Sequence, residues 1–320
     1  MAGIFLSCRS RNAAKVLAGT VAFMALTGQT SLPEPPQDRE IVVTGKLEAP
    51  AALRERAGAY VRALGVANGQ RAAARWLEPV CPEAVGVSEA DARFVETEIR
   101  TAAQSLGIKT AKLPCTANVT ISFVADAPAV VGRISARAPS QFREVPAGSL
   151  KSLHDGDAPI RWWYVTELRG KDGRSLSAAT PPGVQIDGGY ALPTGPNARV
   201  LSQYGASTVS TQTARALHSA SILVDVERAR GVTLGAVAAY AAMVGLAEIR
   251  FGAGAAPGSI LALFDAPGTP AELSQWDRAF LCELYRLPLD RLARYQRGRL
   301  IGALAQGRDT PRARGEACRS

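Results

Sequence analysis

Three hundred and twenty residues, 47% hydrophobic and 20% charged, suffice for one large or two modest domains with a real core. They exclude a collagenous, low-complexity or wholly disordered chain, while a net charge of +9 raises nucleic acid or an anionic membrane as partners. Two histidines, His154 and His218, are too few for a His-rich zinc site, and five cysteines without a CxxC pair exclude zinc ribbons and thioredoxin-type motifs.

Residues 1–15 carry Arg9, Arg11 and Lys15 and no acid, and a charge-free run, VLAGTVAFMALT, follows at 16–27. A basic start, a short apolar run and small residues after it predict a signal peptide over 1–27 and export to the periplasm or cell envelope. Twelve residues are too few to cross a bilayer, which takes about 20. No cysteine follows the run, so no lipid anchor is expected. Loss of the address takes +9 to +6 and removes Cys8, leaving Cys81, Cys115, Cys282 and Cys318. Four cysteines in an oxidising compartment allow three disulfide connectivities; the sequence-local pairs Cys81–Cys115 and Cys282–Cys318 are preferred, with a buried thiol at Cys282 as the alternative.

Residues 28–50, with Pro33, Pro35, Pro36 and Pro50, read as a linker. The Ala- and Arg-rich stretch 51–77 reads as two short helices broken at Gly65 and Gly69. Ser88, three residues before Asp91, opens another, with Val95, Ile99, Ala102 and Leu106 on one face and Gly107 at its end. Val119, Ile121 and Phe123 alternate with polar residues as a half-buried strand. A further strand, IRWWYVTEL, is expected at 160–168; its Trp162 and Tyr164 share one face and Trp163 takes the other, with core packing favoured over stacking on a ligand. A turn follows at Gly170–Gly173, then a long loop over 175–212 and a strand over 221–226.

Residues 232–248 read as a helix apolar all round and therefore buried. Ser274 and Asp277 have capping-box spacing, ahead of an apolar face at Phe280, Leu281, Leu284 and Tyr285. In the last helix Leu289, Leu292, Tyr295, Leu300, Ile301 and Leu304 oppose Arg291, Arg294, Arg297 and Arg299. From 291 onward eight arginines face two acids, so this end carries a charge of +6, equal to that of the whole chain without its address. The predicted organisation is a signal peptide at 1–27, a linker at 28–50, one α+β domain at 51–305 with an irregular insertion at 127–218, and a basic tail at 306–320 expected to be dispensable for folding.

Four pieces of this chain, read together, resemble zinc metallopeptidases of the metzincin class. ANVTISF at 117–123 is similar to the edge strand of that class, VAAYAAMVGLA at 237–247 lies where its HExxH helix would be, and Ser259-Ile260-Leu261 matches its small turn. Leu273-Ser274-Gln275-Trp276-Asp277 running to Leu284-Tyr285 is similar to its helix LSxxDxxxLxxLY. Zinc there needs imidazoles at i and i+4 and a glutamate base at i+1. At those places stand Tyr240, Val244 and Ala241, with Ala247 at the turn glycine and Arg250 at the third ligand.

The resemblance therefore implies a small mixed sheet packed with helices, no zinc, no cofactor and no catalytic residue: an exported pseudo-metallopeptidase that acts by binding or as an envelope component. The alternative is a periplasmic hydrolase with an unrecognised centre, His154 beside Asp155 and Asp157 being the first suspect. No G-x-S-x-G or phosphate-binding loop occurs. The arginine-rich end suits an anionic envelope surface or an acidic protein, or else is a solvated helix face and tail; export disfavours nucleic acid.

Overall fold

The computed structural model describes residues 49–174, 210–252, 256, 258–265, 271–306 and 318. The signal-peptide run, most of the linker, the loop 175–209 and all of the basic tail except Gln306 and Cys318 lie outside them.

Helix α1 (Pro50–Leu64) starts on a proline in its first turn and stops where Gly65 adopts φ 68°, a left-handed cap that a side chain resists. The second helix expected before residue 77 does not form. Instead the chain turns through Gly69 into strands β1 (Ala74–Arg75) and β2 (Pro82–Val85). Helix α2 (Glu89–Ser105) is capped by Ser88, whose side chain accepts from the Asp91 amide at 3.2 Å, and it buries Val95, Ile99 and Ala103. Strand β3 (Val119–Val124) buries Val119, Ile121 and Phe123, as the alternation requires.

Helices α3 (Ala127–Arg137) and α4 (Ala147–Asp155) occupy much of the stretch read as irregular, with Asp126 capping α3 through the Ala129 amide. Strands β4 (Ile160–Gly170) and β5 (Thr213–Asp225) follow, β5 beginning eight residues earlier than the apolar run suggested. Next come α5 (Leu234–Leu246), capped by Thr233; a single 3₁₀ turn (Ile260–Ala262); α6 (Gln275–Arg286), which carries the full capping box; and α7 (Ala293–Ala305).

The sheet is mixed. β5 runs parallel to β3 along Ala220–Asp225 and to β1 at Arg215–Ala216, β2 runs parallel to β3, and β4 lies antiparallel along the other side of β5. The segment likened to an edge strand is thus interior, between β2 and β5, and β4 is the edge beside the site. With seven α-helices among the described residues around this sheet, the fold is α+β.

Helix α5 lies directly on the sheet, because Gly245 presents no side chain: a Cβ there would stand 3.1 Å from Val119 Cγ1 and 3.5 Å from Ile222 Cδ1. On the opposite face Trp163 stacks on Phe142 at 4.8 Å, and the buried Arg161 donates to the carbonyls of Leu153, Gly156 and Ala158, closing the end of α4. Tyr295 is 45% exposed, not on the apolar face of α7; fully buried Gln296 takes that side, accepting from the Ala73 amide and donating to the carbonyls of Pro288 and Leu289. Three backbone groups thereby bond that amide, its oxygen once and its nitrogen twice, which is why a polar residue is tolerated there.

Candidate functional site

The last carbonyls of α5 have no helical partners, so other groups must satisfy them. Aromatic side chains from three separate segments do so. Tyr164 Oη donates to Val244 O at 2.6 Å, Trp76 Nε1 to Gly245 O at 2.8 Å, and Tyr285 Oη to Leu246 O at 2.8 Å. Trp162 Nε1 donates to Ile249 O at 2.7 Å, and the Ile249 amide donates to Tyr164 Oη at 3.2 Å. These bonds fix the stretch Ile249–Phe251 against edge strand β4. Trp162 and Tyr164 share the face turned towards α5 and Trp163 the other, as strand alternation predicts.

Beneath that edge opens a cleft of about 310 Å³, at the small end for a ligand site. Trp162 forms one wall, with Tyr240 edge-on at 5.8 Å and Phe251 at 4.9 Å, and Phe264 lies 5.9 Å beyond Tyr240. Burial first, and then the charge of Asp265, raise the Tyr240 phenol above its usual range, so at neutral pH it is an O–H donor. Its hydroxyl has no hydrogen-bond partner among the described residues. Arg250, on the rim, is exposed, and its guanidinium has neither an acidic nor a hydrogen-bond partner among them. Val244 and Ala241 are sealed in the core. Of the five degenerate motif positions, Tyr240 and Arg250 thus line a cleft, and Ala241, Val244 and Ala247 are packing.

The small turn and the capped helix of the resemblance meet at one carboxylate. Asp277, fully buried, accepts from Tyr60 Oη and Ser259 Oγ at 2.6 Å each, and from the Ile260 and Ser274 amides at 2.9 Å each. Burial and the Asp277 charge hold the Tyr60 phenol well above its usual range, so it remains the donor. This hub sets where Leu261 and Phe264 stand, and with them the floor of the cleft.

On the other side of Ile249–Phe251 lies a smaller cleft of about 170 Å³, lined by Arg71, Glu144 and Glu248, which join Arg215 behind them in a quartet of alternating charges. Arg71 pairs with Glu144 and Glu248 at 2.7 Å each; Arg215 pairs with Glu248 at 2.6 Å and Glu144 at 3.2 Å. Thr166 Oγ1 donates to Glu144 at 2.5 Å. Burial pushes the Glu144 carboxyl up, but Thr166, Arg71 and Arg215 outweigh it and leave the group below its ordinary value. Sequence reasoning missed these residues, which are brought together from five separate segments.

His154 is not in a loop but in the last turn of α4, and no hydrogen bond joins it to Asp155 or Asp157; those acids pair instead with Lys151 and Arg228. His218 lies within β5 and is exposed. Among the described residues no group of three or more His, Cys, Asp or Glu could hold a metal ion. No helix there is long and apolar enough to cross a membrane. The four cysteines among the described residues pair as Cys81–Cys115 and Cys282–Cys318, with Cα atoms 6.3 and 5.7 Å apart, which suits a non-reducing compartment. Compared with family models, with curated proteins and with solved structures, the chain matches none of them.

Proposed function

We propose that this is an exported metzincin-like protein without a zinc centre, working by binding at the aromatic cleft below β4. The observation that carries this reading is the pair Tyr240 and Arg250. Both stand at positions of the degenerate zinc motif, both border the cleft, and neither side chain has a hydrogen-bond partner among the described residues. A phenol and a guanidinium between aromatic walls suit a ligand with an apolar or aromatic body and a carboxylate. Support for the metzincin-like reading comes from the chain order of strand, buried helix, small turn and capped helix, and from the bonds of Asp277 to both Ser259 and Ile260. The two disulfides and the apolar run at 16–27 support export.

Trp162 makes the site readable by fluorescence. Titration with N-acetylphenylalanine and with its amide is expected to change the tryptophan signal, the acid binding more tightly. Arg250→Gln should erase the preference for the acid, and Tyr240→Phe should weaken both by roughly fivefold, the equivalent of one lost hydrogen bond at about 1 kcal/mol. Equal binding of acid and amide by the unaltered chain, or no response at millimolar concentration, would sink the reading.

A further inference from the structure

The two disulfides close loops of nearly equal span, 34 and 36 residues, so chain entropy does not set them apart. Their surroundings do. Cys282 is buried on the apolar face of α6, Cys318 packs against the same core, and no cation bonds to either sulfur among the described residues. At the other pair, Arg100 of α2 reaches both sulfurs, with Nη2 3.3 Å from Cys115 Sγ and 3.9 Å from Cys81 Sγ. Its Nη1 donates to Ala111 O at 2.7 Å, which fixes the guanidinium plane against the bond. No carboxylate pairs with Arg100 among the described residues. Cys115 is half-buried, and Leu113 two residues before it is 72% exposed, the most exposed large apolar side chain described.

A neutral disulfide gains little from an unpaired guanidinium, whereas a thiolate gains a great deal. We propose that Cys81–Cys115 is a thiol–disulfide exchange site for a dithiol reductant, with Arg100 holding the thiolates that reduction releases. A thiolate of the reductant attacks Cys115 Sγ, the more exposed sulfur. The S–S bond breaks, and its electron pair leaves on Cys81 Sγ, within reach of Arg100. The second thiol of the reductant loses its proton to solvent and attacks the sulfur of its own mixed disulfide, expelling Cys115 as a thiolate beside Arg100. Two electrons pass from the dithiol, which ends as a disulfide, to the chain, which ends with two reduced cysteines.

The test equilibrates the full chain in graded mixtures of reduced and oxidised dithiothreitol, then quenches with acid, alkylates and maps each cysteine by mass. Cys81–Cys115 is expected to open at a less reducing poise than Cys282–Cys318. In Arg100→Met its midpoint should move to more reducing conditions by roughly tenfold in equilibrium constant, about 30 mV, with Cys282–Cys318 unmoved as the report on the fold. Arg100→Lys should recover most of the shift. In the reduced unaltered chain, alkylation of Cys115 should reach half its limiting rate at a lower pH than in Arg100→Met. Bonds that open together in the unaltered chain overturn the proposal, as does an Arg100→Met midpoint that stays in place.

Discussion

Asp277 has one carboxylate and four donors, drawn from α1, the small turn and the start of its own helix. Among the described residues no cation pairs with it, so hydrogen bonds alone hold the carboxylate in place. Replacing it with alanine strands the Tyr60 and Ser259 hydroxyls and the Ile260 amide in the core. Each unsatisfied buried donor costs about 1–3 kcal/mol. Asp277→Ala should therefore lower unfolding free energy by about 3–5 kcal/mol, read from the urea midpoint. A loss under about 1 kcal/mol would show that these donors find other partners. At this scale the sequence shows the cap and hides the hub. Ser274 and Asp277 advertise a helix start by their spacing, but nothing local marks Tyr60, 217 residues away, as the third member.

Among the elements, α5 decides the site. Its lack of charge foretells burial, and it is buried on nearly every side, between α2 and the sheet. Its closeness to β3 and β5 rests on Gly245. A β-branched side chain there would run into Val119 and Ile222, so Gly245→Val should destabilise by about 2 kcal/mol and shift the near-ultraviolet signal of Trp76 and Trp162, which bond to the carbonyls of Gly245 and Ile249. A variant as stable as the parent would mean that α5 can lift off the sheet without cost. Helices α2, α5 and α6 were legible because their caps and apolar faces are local signals. β5 was legible only at its C-terminal end, since Thr213–Ser219 carries Arg215 and His218 and breaks the apolar run. The aromatic bonds that close α5 left no local trace, because Trp76, Tyr164 and Tyr285 come from three distant segments.

At the scale of the whole molecule, the charge quartet and Thr166 tie the turn after α1, the segment before α4, β4, β5 and the segment after α5 into one network. Because Glu144 titrates below its unfolded value, its share of stability is present above that value and is lost as pH falls through the folded one. The melting temperature should drop as pH goes below about 4, the ordinary glutamate range, and Glu144→Gln should flatten that drop. Coincident profiles for the two chains would mean that the network does not report on folding. The C-terminal end also changes its meaning. Cys318 pairs with the buried Cys282, so deletion of 306–320 would remove that bond as well as the arginines. Of its neighbours, Arg294 and Arg299 are exposed, Arg291 pairs with Asp290, and Arg297 donates to Ala67 O.

The degenerate motif, on this reading, holds no zinc. Elemental analysis of the purified full chain, dialysed against zinc and then against buffer, is the most direct measurement. We expect substoichiometric zinc that does not change in Tyr240→Phe. One zinc per chain, lost when His154 or His218 is replaced, would contradict it.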